Sequence, residues 1–491
     1  MALAAPTERD PAHQRAAKAR RPRLLPMLII LAVGTLVLLR AAIFVADAGL
    51  IGAGYAAKQI CSGVFVARLP ERFVVDNDVL PRLATVGPMA ALLDYAVDPL
   101  QRRVSATLLG QRVIAQFEPS FGCTLFDEEN DEQQSTTHSP SDAPPEKSRV
   151  HLTSTPPQPA ATQDRTPPLI GSSDTTSKLD AALDAAFAEP FEGGRNTLAV
   201  VVMHQGKLVA ERYQAPVFVM TPMQGWSMNK SLMATFIGHQ IDAGRMSLDD
   251  SVSEALNTAG AEASLISLVS PDLTLGHLLS MTSGFDFAER YFPGDDVTDM
   301  LYRQPGMWLS APATGHARAP GEQFSYSSGD INTASLMWHQ SLRGQRYTDW
   351  LADTFVAPLG LQEIVLEPDA SGVQVGSSYA YLTARDWALM GQLWLDAWHG
   401  RSALISQAWQ KRAVTPGTAN QGEIYGLGFW LNTHQRRFPD APESTFNAGG
   451  NSGQFVVVIP ERELVIVRLG LTLNESRADM NVLLADVLAA L

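Results

Sequence analysis

Gly225-Trp226-Ser227-Met228-Asn229-Lys230 is the stretch on which the reading of this chain turns. A hydroxyl and an ammonium three residues apart share one face once the segment is helical. A lysine held in an apolar cleft gives up its proton more readily, because burial penalises the charged form. Its free amine can then take the proton of the neighbouring serine, which makes a nucleophile without a histidine. A helix start helps both partners: the positive end of the dipole favours an alkoxide and disfavours an ammonium. The competing account is an ordinary amphipathic helix. The chain has seven lysines, and Lys230 alone has a serine three positions before it. The surroundings of the pair have to decide.

Outward from the pair, two β-rich runs come first, Thr197–His204 and Lys207–Tyr213, joined by the hairpin signal Gln205-Gly206. Leu232, Met233, Phe236 and Ile237 give 228–241 a helical spacing, and 179–187 reads as a helix too. At the far end Gln454–Ile459 and 463–471 form a second hairpin about Pro460-Glu461-Arg462, and a helix closes the chain over 477–491. Thr383 reads as the N-cap of another helix. Strands at both ends of a helical interior predict an α+β domain over 175–491. One antiparallel sheet is built from both ends of that domain, with helices packed on it. Parallel strand–helix alternation is absent, which excludes a Rossmann or α/β-hydrolase arrangement.

The order of blocks then carries a resemblance. The hairpin, the W-S-x-x-K-S helix, Met246-Ser247-Leu248-Asp249-Asp250 and Leu273-Thr274-Leu275-Gly276-His277-Leu278-Leu279-Ser280-Met281-Thr282-Ser283-Gly284 follow one another. This succession resembles the serine β-lactamase/penicillin-binding superfamily, and within it the 6-aminohexanoate-dimer hydrolase and class C-like esterase branch. The resemblance spans about 175–491 and implies a β-lactamase/transpeptidase-like fold with a helical subdomain. It also implies an acyl-enzyme on Ser227, Lys230 as the base and no metal or organic cofactor. It calls for a second motif, Y-x-N, which Tyr326-Ser327-Ser328 fits at its tyrosine, with Tyr326 relaying protons to the leaving group. Ser328 stands where the family has asparagine; a hydroxyl still hydrogen-bonds Lys230, with a shorter reach. The third motif, K/H-T/S/G-G, is read as Asn451-Ser452-Gly453, and the backbone N–H groups of Ser227 and Gln454 as the oxyanion hole.

Asn451 cannot pair with a carboxylate as lysine would, which turns the expectation from β-lactams towards neutral amides or esters. Trp226 and Tyr291 are further candidate substrate contacts, while His277 and His316 read as packing or surface residues. A β-lactamase or a D-alanyl-D-alanine peptidase remains an alternative. From another class, a penicillin-binding-fold envelope protein that binds without turnover competes. Ser328 and Asn451 favour it; Ser227, Lys230 and Tyr326 oppose it.

The remainder of the chain sets its address. With 491 residues, two or three units are expected. A formal charge of -14 excludes a nucleic-acid partner, since no basic stripe could neutralise phosphates. No C-x-x-C or H-E-x-x-H spacing supports a metal site. The expected partners are a small-molecule amide or ester and a membrane, with the oligomeric state left open. A basic tail, 1–23, precedes an apolar segment, 24–46, long enough to span a bilayer as an inner-membrane anchor. Ala46-Asp47-Ala48 leaves a cleaved signal as the other outcome. Either places the bulk of the chain in the periplasm. There Cys61 and Cys123 are read as a disulfide closing a small domain, 50–125, the alternative being two buried thiols. That domain holds a hairpin, 103–109 with 112–117, about Gly110-Gln111. Residues 126–174, rich in Ser, Thr and Pro, are expected to be a disordered linker to the hydrolase domain.

Overall fold

The computed structural model describes residues 24–126, 173–190, 193–417, 419 and 423–491. The basic tail, 1–23, and nearly all of the linker, 126–174, lie outside the described residues. The chain divides into two compact units, up to Val45 and from Ala46 to Leu491. The first contains the start of helix α1 (Leu24–Cys61), which is long and apolar enough to cross a membrane. Leu31, Leu36, Leu38 and Phe44 are all exposed there. Within the segment read as an anchor, 24–46, residues 28–29 and 31–46 are the exposed part of a longer helix. From Ala48 onward α1 is buried, with Ala53, Ala56, Ala57 and Ile60 fully covered.

In the second unit, β1 (Asp94–Asp98), β2 (Arg103–Leu108), β3 (Gln111–Glu118) and β4 (Gly122–Phe126) form an antiparallel meander. The β2–β3 turn is Leu109-Gly110, one residue earlier than the sequence suggests, because both residues take positive φ there. Cys61, at the end of α1, is disulfide-bonded to Cys123 on β4. This segment docks on the rest of the unit through one acidic side chain. Glu367 is fully buried, forms an ion pair of 2.7 Å with Lys58, and accepts hydrogen bonds from Ser62 Oγ and the Cys123 amide at 2.7 Å each. Lys58 also donates to the Cys123 carbonyl. A buried charge pair tolerates desolvation better when further donors meet it; here two donors meet Glu367 Oε1, while Oε2 faces the Lys58 ammonium alone.

The elements that frame the sheet and the site include α2 (Ser173–Phe187), β5 (Thr197–His204), β6 (Lys207–Tyr213), β7 (Met223–Gln224), α3 (Asn229–Asp242) and α4 (Ser328–Ser341). Then come β8 (Val365–Leu366), β9 (Ala380–Leu382), α5 (Ala384–Trp398), β10 (Trp430–Leu431), β11 (Phe446–Gly450), β12 (Gln454–Ile459), β13 (Leu464–Gly470) and α6 (Met480–Ala490). Six strands make one antiparallel sheet in the order β10-β11-β12-β13-β5-β6, so the C-terminal hairpin pairs directly with the N-terminal one. Alternate side chains divide between two faces. Val200, Val202, Val457 and Ile466 meet Leu179 and Leu183 of α2 and Leu484 and Val487 of α6. Val201, Met203, Val456 and Val467 join the larger core, which includes Trp387 and Met390 of α5. Buried on both faces, these strands read as continuous apolar runs rather than alternating ones. The result is the α+β architecture expected of a sheet made from both ends of the domain.

Candidate active site

Ser227 sits in a single 3-10 turn, Trp226–Met228, that leads into α3. Asn229, Lys230, Ser231, Leu232, Met233 and Phe236 of α3 are all buried. A helix covered on every side does not fit the competing account of an ordinary amphipathic helix, and the cation it carries is the anomaly. Lys230 is 1% exposed. Its Nζ donates to Ser227 Oγ at 3.0 Å, to Ser328 Oγ at 3.0 Å and to the Ser377 carbonyl at 3.2 Å. Burial brings its pKa down to about 8, against a smaller upward pull from Glu289. The ammonium side of the titration is also met by an aromatic face, with Nζ 4.8 Å from the Tyr326 ring centroid.

Ser328 opens α4 and hands the contact on. Its Oγ donates to Glu289 Oε1 at 2.5 Å, and its amide donates to Glu289 Oε2 at 2.7 Å. Tyr291 donates its hydroxyl to the same Oε1 at 3.0 Å. A carboxylate at the start of α4 is favoured there by the helix dipole as well as by these donors. No sequence motif singles out Glu289, although Tyr291 two residues later is a candidate contact. Its signal was an acidic residue in an aromatic loop directly after the Gly284 block. Nearby, Asp330 is fully buried, accepts from Ser283 and Ser327 at 2.9 and 2.8 Å, and burial pushes its pKa up to about 7.

The third motif needs correction. Asn451-Ser452-Gly453 is the turn between β11 and β12, and Gln454 starts β12, one strand further from Ser227. The Gln454 side chain is tied to Gly470, and the Gly453 carbonyl accepts from Arg468, so both face inward. The strand beside Ser227 is β11. At Gly450 a β-carbon would fall 2.1 Å from the Gly225 carbonyl oxygen and 3.2 Å from the Ser227 nitrogen, so only glycine allows this approach. The residues in line with the expected motif are thus Asn447-Ala448-Gly449, followed by Gly450. Sequence reasoning missed them because the turn after the strand has the same small polar character as the strand end. Asn447 is buried, and its amide group has no hydrogen-bond partner among the described residues.

A cavity of about 680 Å³ opens over this arrangement. Ser227, Trp226, Tyr326, Tyr291 and Asn451 line it together with Trp430, Gly449 and Gly450. The Tyr326 ring stacks on Trp430, with centroids 5.2 Å apart, and meets Tyr425 edge-on at 5.9 Å. Lys230 and Ser328 lie directly behind Ser227; Ser452, Gly453 and Gln454 do not line the cavity. His277 and His316 are engaged elsewhere, His277 in the cap at Thr274 and His316 accepting from the Ser270 amide. Thr383 does cap its helix, accepting from the Asp386 amide at 3.1 Å.

The family profile described as Beta-lactamase matches residues 179–489. Penicillin-binding protein 4 of Amycolatopsis lactamdurans is 32% identical over 201 residues, which are 40% of this chain and 48% of that protein. The chain thus spans about half the length of that relative. The 6-aminohexanoate-dimer hydrolase of Paenarthrobacter ureafaciens is 25% identical over 291 residues, 56% of this chain and 72% of that protein. Among solved structures, a penicillin-binding protein homologue from Caulobacter crescentus superposes with a TM-score of 0.51 at 17% identity, covering 65% of this chain and 98% of that one. That likeness is one of fold.

Proposed function

The chain belongs to the Beta-lactamase family, and we propose that it is a serine hydrolase cleaving amide or ester bonds through an acyl-enzyme on Ser227. The β-lactamase/transpeptidase-like fold expected from the sequence is the fold it has. The observation that carries the mechanism is the buried amine of Lys230, 3.0 Å from Ser227 Oγ and brought down to a pKa of about 8. At that pKa a substantial fraction is neutral near physiological pH, which suits a general base.

In this reading Lys230 takes the Ser227 proton as Oγ bonds to the substrate carbonyl carbon. The backbone N–H groups of Ser227 and Gly450 receive the negative charge that develops on the carbonyl oxygen, with Gly450 in place of the expected Gln454. As the tetrahedral intermediate collapses, Tyr326 gives a proton to the departing amine or alcohol and regains one from the Lys230 ammonium. Water then attacks the Ser227 ester and loses its proton to the same lysine, which returns a proton to Ser227 Oγ as the C–O bond breaks and the acid is released. Ser328 holds Lys230 and is itself held by Glu289, so the short hydroxyl is placed by a carboxylate where the family uses asparagine. The apolar helix start supports a membrane-anchored or exported protein, and the Cys61–Cys123 bond fits an oxidising, periplasmic location.

Turnover of p-nitrophenyl butyrate by the full chain in a nonionic detergent tests the reading. Activity lost in Ser227→Ala supports it, whereas a folded wild-type protein with no turnover favours an envelope binding role. Nitrocefin assayed alongside separates β-lactam hydrolysis from amide and ester hydrolysis.

A further inference from the structure

Part of the cavity over Ser227 is walled from outside the family domain. Ala48, Ile51 and Tyr55 of α1 line it with Leu83, Val86 and Met89, and all precede residue 179, where the family match begins. We propose that this wall is an acyl-chain site, and that the substrates are esters or amides of medium- to long-chain aliphatic acids. The proposal deepens the serine-hydrolase reading, on which it relies only for the end of the substrate that reacts.

Three observations carry it. The first is the make-up of the wall. Ala48, Ile51, Gly52 and Tyr55 follow one another at i, i+3, i+4 and i+7, so one stripe of α1 faces the cavity. Leu83, Val86 and Met89 continue it with aliphatic side chains. Polar side chains beside them already have partners in the protein. The Tyr55 hydroxyl donates to Asp78 Oδ1 at 2.6 Å, and Arg82 Nη2 donates to Asn451 Oδ1 at 3.3 Å and to Ser452 Oγ at 2.9 Å. An aliphatic wall of this kind binds by taking apolar area out of water, at about fourfold in affinity per buried methylene. The second observation is size. At about 680 Å³ the cavity falls within the roughly 300–1,000 Å³ of sites that enclose a drug-sized ligand, and a short acyl group leaves much of it unfilled. The third is the rim. Val86 and Phe292 line the cavity and are nonetheless 40% and 67% exposed. The backbone around Phe292 is pinned: its amide donates to Asp295 Oδ2 at 2.9 Å, and its carbonyl accepts from Thr298 Oγ1 at 2.7 Å. A large apolar side chain held in water at the mouth of a reactive cavity marks a place for an apolar ligand.

The two ends of the substrate can then be assigned. Tyr326, which serves the leaving group in the proposed reaction, packs against Trp430 and Tyr425. The leaving group goes to that aromatic side, and the acyl chain to the aliphatic one formed by Ile51, Leu83, Val86 and Met89. Such a chain can belong to a membrane lipid or to a soluble acyl compound. The helix that carries the first stripe of the wall, α1, also carries the apolar run long enough to cross a membrane.

Calorimetric titration of the full-length Ser227→Ala protein in phosphatidylglycerol nanodiscs, with N-methyldecanamide and with N-methylbutanamide, reads the chain site without turnover. Empty discs supply the blank. The expected result is tighter binding of the decanamide by about tenfold or more. That preference should fall by about fivefold or more in Met89→Trp, which fills the wall, and by about threefold in Phe292→Ser at the exposed rim. Equal affinities, no binding of either amide, or a preference that survives both substitutions overturns the proposal. If Met89→Trp disturbs the fold, Phe292→Ser carries the test. With the preference present, fatty acid released from the disc phospholipid by the wild-type protein assigns the chain to a lipid, and its absence assigns the chain to a soluble acyl compound. Covalent labelling of wild-type Ser227 by a short-chain fluorophosphonate reports separately on the nucleophile, so failure of one reading is distinguishable from failure of the other.

Discussion

The two walls of the cavity differ in how they are made. One wall, with Ser227, Tyr326 and Gly450, belongs to the family domain; its residues lie on or beside regular elements and hold a buried amine at a depressed pKa. The other, from α1 to Met89, lies outside the family match and is fixed by a handful of long-range polar contacts, such as Arg82 to Ser452, 370 positions apart. The proposed reading assigns the reaction to the first wall. Chemistry needs rigidly placed groups, which the sheet and α3 supply, while selection can be added by an outer segment that leaves the reacting groups alone.

Substitutions in the reactive wall should have the largest effects. Lys230→Ala removes the base and should lower kcat/KM by about 10³-fold or more, read with p-nitrophenyl butyrate. Gly450→Ala forces a methyl group against the Gly225 carbonyl and the Ser227 amide, where 2.1 Å leaves no room. A loss of about 10²-fold in kcat with an unchanged circular dichroism spectrum would match displacement of one oxyanion donor.

Acidity offers a finer probe. Lys230 must be neutral to act, so the rate should rise with pH through about 8. Glu289 pulls that pKa upward, so Glu289→Gln should move the rising limb to lower pH. A limb that moves to higher pH, or stays, would mean that Glu289 does not act on the lysine. The stability consequence has the same pH sense. A lysine whose folded pKa lies below its unfolded value costs stability at low pH, and the cost is relieved as pH rises from about 8 towards 10.5.

The choosing wall should respond in stability before chemistry. Glu367→Ala leaves Lys58 buried and unpaired, and should lower stability by about 3 kcal/mol or more, measured by denaturant unfolding. Reduction of Cys61–Cys123, which closes 62 positions, should cost about 2–4 kcal/mol. If neither change alters turnover of p-nitrophenyl butyrate, the two walls are independent. If turnover falls with either, docking and reaction are coupled.

Much of the reactive wall is legible in the sequence. The hairpins at both ends fix the sheet, since Thr197–His204 and Lys207–Tyr213 are the observed strands, and the spacing of Ser227 and Lys230 is local. Tyr326 is reached through the order of blocks. The strand that touches Ser227 is not legible at one-residue accuracy, because Gly449 to Gly453 is a run of small residues in which strand and turn look alike. Glu289 and Arg82 escape for a different reason. Each acts through a partner distant in sequence, Ser328 or Ser452, and nothing in local spacing announces such a contact. The docking of 46–126 is hidden likewise, resting on Glu367, more than two hundred positions beyond Cys123.

The central claim is that Ser227 is the nucleophile. It is tested most directly by treating the full-length protein in detergent with a biotinylated fluorophosphonate and locating the adduct by mass spectrometry. The account predicts a single adduct on Ser227, formed faster as pH rises through about 8 and nearly absent in Lys230→Ala. A folded protein that stays unlabelled at Ser227, or carries its adduct on another serine, would contradict it.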